Sequence, residues 1–244
     1  EIVVNMMHLL NAIEENAGLS QWMESTYQAL SQEEKYAHQM ASMALESIHW
    51  EHGLDTFLDV IAQLEAQDAV DLRAKALSWL TNAESGETAP ALDDVLSSVD
   101  QLLGATLAHS EKHGKEDRYD EAFWRWMYDH LVEAEAFKQT VVQHLTMMWD
   151  RFVRDHWVRN EALLNESRNA FEQMDFGTFS DAFAAIEAVT ARNMRGLEKM
   201  EQHFSKSHHL IFMPVTHLGP YISWGRHENG DDVLFFSARS PRNT

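Results

Sequence analysis

Apolar side chains recur at intervals of three and four along most of the chain, a spacing that predicts helix up to about residue 205. Ile2, Val3, Met6, Leu9, Leu10 and Ile13 form one amphipathic run, and Gly18 separates it from a second around Leu19 to Leu30. Ser31, with Glu34 three residues on, predicts a capping box: the hydroxyl takes an orphan first-turn amide and the carboxylate reaches back. The helix it opens carries Tyr36, Met40, Met43 and Leu45 towards Ile48. After Gly53 the helical spacing resumes at Phe57, Leu58, Ile61 and Leu64. The polar stretches Asn82 to Pro90 and Ser110 to Asp117 read as loops.

The longest periodic signal runs from about Asp120 to Met174. Leu145, Trp149, Phe152, His156, Leu163, Ser167, Phe171 and Met174 share its stripe, and most of the charged residues fall off it. Gly177 ends it, and Thr178 with Asp181 resembles a further cap. Phe179, Phe183, Ile186, Leu197, Met200 and Phe204 then mark one more long helix. Beyond it the period changes. His209 to Met213 is a short apolar run stopped by Pro214, Gly219-Pro220 is a turn, and Asn229-Gly230 is a hairpin signal. Leu210 to Ala238 therefore reads as three antiparallel strands. The expected fold is mainly α: a multi-helix array over residues 1–205, with a small C-terminal antiparallel β-meander and linker over 206–244.

Composition narrows the function classes. Hydrophobic residues make up 45% and charged residues 24%, as in a globular protein. The chain has no cysteine, which removes disulfides, thiolate metal sites and cysteine nucleophiles together and suits a reducing, cytoplasmic compartment. No apolar run approaches the roughly 18–20 residues needed to span a bilayer, and no signal-peptide pattern opens the chain, so no membrane partner is expected. The chain starts at Glu1 inside an amphipathic run, so residues ahead of it are expected in the parent protein. Lys and Arg number 19 against 39 Asp and Glu, a formal net charge of −20. A field of that sign repels phosphate and disfavours nucleic acid and anionic membranes.

Fourteen histidines raise the question of a metal. Glu46 and His49 have the i, i+3 spacing of di-iron bundles, but no other histidine follows a Glu at that interval. His109 and His113 share a helix face near Glu116, yet no Glu follows the first of them, so the zincin pattern is absent. There is no Gly-x-Ser-x-Gly and no glycine-rich phosphate loop. No catalytic residue, metal or cofactor is therefore expected. The aromatic cluster Phe123, Trp124, Trp126, Tyr128, Trp149, Phe152 and Trp157 has two readings. It packs a core, or it leaves a pocket for an apolar small molecule walled by Trp124, Trp149, Phe152, His156 and Trp157. Met147, Met148 and His144 are candidate adaptable walls and polar handles of that pocket.

Met148-Trp-Asp-Arg-Phe-Val-Arg-Asp-His-Trp157, with Trp149, Phe152 and Trp157 at its landmarks, resembles the long-helix signature of large ArsR-type bacterial transcriptional regulators. Ile211-Phe-Met-Pro-Val-Thr-His-Leu-Gly-Pro-Tyr221 and Val233-Leu-Phe-Phe-Ser-Ala-Arg239 are similar to the short β-segment of that family. Met6-Met-His-Leu-Leu10 and Leu19-Ser-Gln-Trp22 are similar to its opening. The resemblance implies that residues 1–205 bind an unknown small-molecule effector and form a homodimer. It also implies that DNA is contacted only through a winged helix-turn-helix absent from these 244 residues. Without cysteine, arsenite sensing by thiolates is not expected here. The alternatives are a stand-alone helical module that binds a ligand or a protein, and an enzyme of unrecognised type.

Overall fold

The helical spacing becomes a succession of helices in the computed structural model, which describes residues 2–14, 20–46, 56–81, 90–204, 209–219, 222–226 and 231–238. In chain order these are α1 (Ile2–Glu14), α2 (Gln21–Ala29), α3 (Gln32–Glu46), α4 (Phe57–Ala66), α5 (Ala69–Ala76), α6 (Ser78–Thr81) and α7 (Leu92–Val95). They continue with α8 (Val99–Lys112), α9 (Glu121–Leu131), α10 (Ala134–Met148), α11 (Arg154–Glu172), α12 (Ala182–Thr190) and α13 (Glu198–Phe204). Three strands follow: β1 (Leu210–Val215), β2 (Ser223–Arg226) and β3 (Asp232–Ser237). The fold is mainly α, as expected. Gly18, Ile48, His49, Gly53, residues 82–89 of the predicted loop, Pro220, Tyr221, the Asn229-Gly230 hairpin signal and the tail from Arg239 lie outside the described residues.

Helix starts follow local chemistry. Ser31 N–H donates to Glu34 Oε2 at 2.7 Å, and Glu34 N–H donates back to Ser31 Oγ at 3.2 Å, closing the predicted box. Thr56 and Asp59 form a second box at the start of α4. Asp68, Ser98, Asp120 and Asp181 accept first-turn amides in the same way. At α12 the cap is Asp181 alone, and Thr178 belongs to the preceding 3-10 turn Phe176–Thr178.

The chain divides into two compact units, residues 29–151 and residues 1–28 with 152–244. In the first, α10 packs against α3, α4, α5 and α9. Its buried residues Phe137, Val141, His144, Leu145 and Met148 repeat at four, three, one and three, which is one face of a helix. Met40, Ala44, Leu64, Leu72, Met127 and Leu131 complete the surrounding core. The long periodic signal is broken at Val132 and Glu133, where no Pro or Gly stands. Arg73 explains how the break is tolerated: its Nη1 donates to Leu131 O at 2.7 Å and Val132 O at 2.9 Å, satisfying carbonyls left open at the end of α9. From α10 the helix continues into α11 through a π-helical turn, Trp149–Val153. Its extra residue rotates the apolar stripe around the axis.

In the second unit the three strands are ordered β1-β3-β2, with β1 parallel and β2 antiparallel to β3. The sheet is therefore mixed, not the antiparallel meander that the spacing predicts. The reason is burial. Val233, Leu234 and Phe236 make β3 the most apolar strand, so it takes the centre. Val215 O accepts from Ala238 N at 2.7 Å and His209 O from Asp232 N at 2.9 Å, so the odd-numbered residues of β1 bond to β3. Pro214 falls on the outward row, where its missing N–H costs no ladder bond. Both faces of the sheet are covered. Leu234, Phe236, Leu210 and Phe212 meet Ile186, Val189, Met200 and Phe204, and Val215 and Phe235 meet Val4 and Leu218.

Candidate functional site

A cleft of about 490 Å³ opens in the second unit between β1, the end of α11 and the start of α12. Leu210, Phe212 and Pro214 of β1 and Phe236 of β3 line one side. Phe171 of α11, Phe176 and Phe179 of the 3-10 turn, and Ala182 and Ala185 of α12 line the rest. Phe176 stacks on Phe212 with centroids 5.5 Å apart and planes 19° apart, while Phe171 meets Phe236 edge-on at 5.3 Å. The two alanines matter by being small, because larger side chains there would fill the opening. Its size falls within the roughly 300–1,000 Å³ typical of small-molecule sites.

Charge sits at the rim. Arg168 Nε lies 3.4 Å from Glu172 Oε1 one turn on. Asp181 caps α12 and takes two hydrogen bonds from Arg195 Nη2, at 2.7 and 2.9 Å. The Arg195 guanidinium and the Ala184 amide hold the Asp181 carboxyl below the usual range, so it is ionised at neutral pH. The arrangement suits an apolar, flat molecule that keeps a polar group at the mouth.

A second constellation in the same unit is built on histidine. Trp22 stacks on His156 at 4.5 Å and on His217 at 4.7 Å, with interplanar angles of 22° and 25°. The Nε2 atoms of His156 and His217 face each other within hydrogen-bond contact. Ser20 Oγ lies 2.7 Å from His217 Nδ1, and Asn160 Nδ2 lies 2.7 Å from His156 Nε2. In one proton arrangement Ser20 O–H donates to His217 Nδ1 and His217 Nε2–H donates to the lone pair of His156 Nε2, while the Asn160 amide donates to His156 O at 2.9 Å. Burial, then the neighbouring His156, pulls the His217 pKa down to about 4. The void beside these rings is about 10 Å³ and is bordered by Asn5, Trp22, His156, Trp157, Asn160 and Thr216. It has room for about one water and none for an organic substrate.

The five residues predicted to wall a pocket fall in both units. Trp124 of α9 is buried between Phe123 at 4.8 Å and Trp79 at 5.9 Å, and Trp149 lies 5.9 Å from Phe57, all within residues 29–151. Phe152, His156 and Trp157 belong to the other unit, where His156 and Trp157 border the small void. None of the five lines the large cleft. His144, predicted as a polar handle, is buried in the first unit with its Nε2 2.9 Å from His38 Nδ1. Burial, then His38, lowers its pKa to about 3. His109 and His113 lie side by side at 4.4 Å, with His109 edge-on to Trp79. Among the described residues no group of three or more His, Asp or Glu converges as a metal-binding set.

Among the described residues no helix is long and apolar enough to cross a membrane. No family model, no curated protein and no solved structure matches the chain.

Proposed function

We propose that the chain is the effector-sensing part of a bacterial transcriptional regulator, and that the aromatic cleft beside β1 is where the effector binds. The observation that carries this reading is the cleft itself: about 490 Å³ lined by five phenylalanines, with charged groups only at its mouth. Large aromatics ordinarily interlock to native density, so a space of this size among them has the character of a ligand site. The segments that resemble the β-segment of ArsR-type regulators supply Phe212, Pro214 and Phe236 to its wall. The effector is a flat, apolar molecule of metabolite size, and the action is binding rather than chemistry. The resemblance adds that the regulator works as a homodimer. Its contact with DNA is not ascribed to these residues, because a net charge of −20 supplies no counterion release.

A fluorescent apolar probe, 8-anilinonaphthalene-1-sulfonate, tests the cleft. The wild-type chain is expected to bind it saturably. Ala182→Phe, which fills the opening from the first turn of α12, is expected to weaken binding about tenfold, the equivalent of about 1.4 kcal/mol, with circular dichroism unchanged. Equal binding by the variant would refute the site. A stand-alone ligand-binding module would show the same cleft. The two readings separate on whether a bound ligand alters operator occupancy by the parent regulator.

A further inference from the structure

Three separate stretches of chain meet at the histidine pair: the residues before α2, the first turns of α11, and the loop after β1. We infer that His156 and His217 form a binding site for a divalent late transition-metal ion, with water completing its coordination. The inference rests on a different observation from the aromatic cleft and stands or falls separately.

The two rings aim their Nε2 atoms at one point, and Nε2 of a neutral imidazole is an ordinary metal-ligand atom. In a tetrahedral site with metal–nitrogen distances of about 2.0–2.1 Å, two such atoms stand roughly 3.3 Å apart. The rings reach that separation by a small outward tilt. Asn160 Nδ2 lies 2.7 Å from His156 Nε2 and donates to His156 O at 2.9 Å, so the amide stays on the backbone carbonyl when Nε2 turns to a metal. The void of about 10 Å³ beside His156 is about the size of one water.

The outer contacts support the same assignment. A metal-bound histidine needs an acceptor for its other ring N–H, and Ser20 Oγ stands 2.7 Å from His217 Nδ1. Trp22 stacks on both rings at 4.5 and 4.7 Å and fixes their orientation. Two imidazole nitrogens, which are borderline donors, and water form a neutral set. That set favours Cu²⁺, Ni²⁺ and Zn²⁺ and disfavours Mg²⁺ and Ca²⁺, which prefer carboxylate oxygens. With no anionic ligand the expected affinity is modest, on the order of micromolar.

The test uses the whole chain after chelator treatment, titrated with ZnCl₂ by calorimetry and with CuCl₂ by tryptophan fluorescence. One Zn²⁺ per chain is expected, with Cu²⁺ quenching that is largely lost in Trp22→Phe. His217→Gln should abolish the site, and Ser20→Ala should weaken it roughly 10–100-fold, the usual effect of removing an outer partner of a metal-bound histidine. Ser20→Ala keeps the test decisive should His217→Gln fail to fold, because it removes only a partly buried hydroxyl. His109→Gln with His113→Gln should leave the binding unchanged. Zn²⁺ binding weaker than about 100 μM overturns the site. So does binding that survives Ser20→Ala and His217→Gln but disappears with His109 and His113.

Discussion

Acidification is predicted to loosen the unit of residues 29–151 through His144. This side chain is 5% exposed and His38 is 1% exposed, with 2.9 Å between His38 Nδ1 and His144 Nε2. Burial, reinforced by His38, lowers the His144 pKa from 6.5 to about 3 in the folded chain. A histidine depressed in this way contributes stability that is complete above the unfolded pKa of about 6.5. Below it, the unfolded chain takes up a proton that the folded chain refuses. Stability is therefore lost from about pH 6.5 downwards, and the loss levels off only near pH 3. At about 1.4 kcal/mol per pH unit for one proton, the fall from pH 7 to pH 5 comes to about 2 kcal/mol. Urea unfolding at the two pH values measures it. With a denaturant slope of about 2–3 kcal/mol per molar, the midpoint moves down by roughly 0.7–1 M on account of this pair. The decisive comparison is with His38→Leu combined with His144→Leu. Replacing both partners by apolar groups removes the contact between them without leaving one ring facing an empty site. The double variant should lose that share of the pH dependence. An identical midpoint shift in wild type and double variant would refute the reasoning.

Three further outcomes follow from the structure. Arg73→Ala removes both hydrogen bonds to the carbonyls of Leu131 and Val132, and should cost about 1–3 kcal/mol in thermal or urea unfolding; an unchanged midpoint would show that the α9–α10 break needs no cap. Thr56→Ala removes one half of the reciprocal box at α4 and should cost about 1 kcal/mol; no loss would mean that water replaces the cap. The 244-residue chain alone should bind duplex DNA more weakly than about 10⁻⁴ M at 150 mM salt, and a micromolar complex in a mobility-shift assay would contradict the electrostatic argument.

What the sequence discloses here is chiefly what is local. Ser31 and Glu34 announce their cap because both partners lie within one turn. The change of period after Phe204 announces strands for the same reason. The break between α9 and α10 leaves no mark, because no Pro or Gly makes it. It is secured by Arg73, 58 residues before Leu131. The strand order was only half legible. Pro214 reads as the end of the first apolar run, whereas β1 continues through it to Val215, and the parallel pairing of β1 with β3 follows from β3 taking the most buried place, a property of the whole unit.

The same division separates the two sites. Trp124, Trp149, Phe152, His156 and Trp157 stand close in sequence or on one periodic stripe, which is why they suggest a common pocket. The cleft draws instead on Phe171, Phe176, Phe212 and Phe236 from different elements, and periodicity cannot bring those together. His156 was visible as the polar member of an apolar stripe. Its partner His217 is 61 residues away, and Ser20 is a further 197 residues from His217.

The proposed function requires the aromatic cleft beside β1 to bind a small apolar molecule. Methyl-labelled protein titrated with 8-anilinonaphthalene-1-sulfonate tests it most directly, because Leu210, Ala182 and Ala185 carry methyl groups on the cleft wall. Leu64, Leu72 and Leu102 sit buried in the other unit as internal controls. The account predicts saturable shifts of the first three methyl resonances and none of the last three. Saturable shifts confined to the last three, or no saturable shift at Leu210, Ala182 and Ala185, would contradict it.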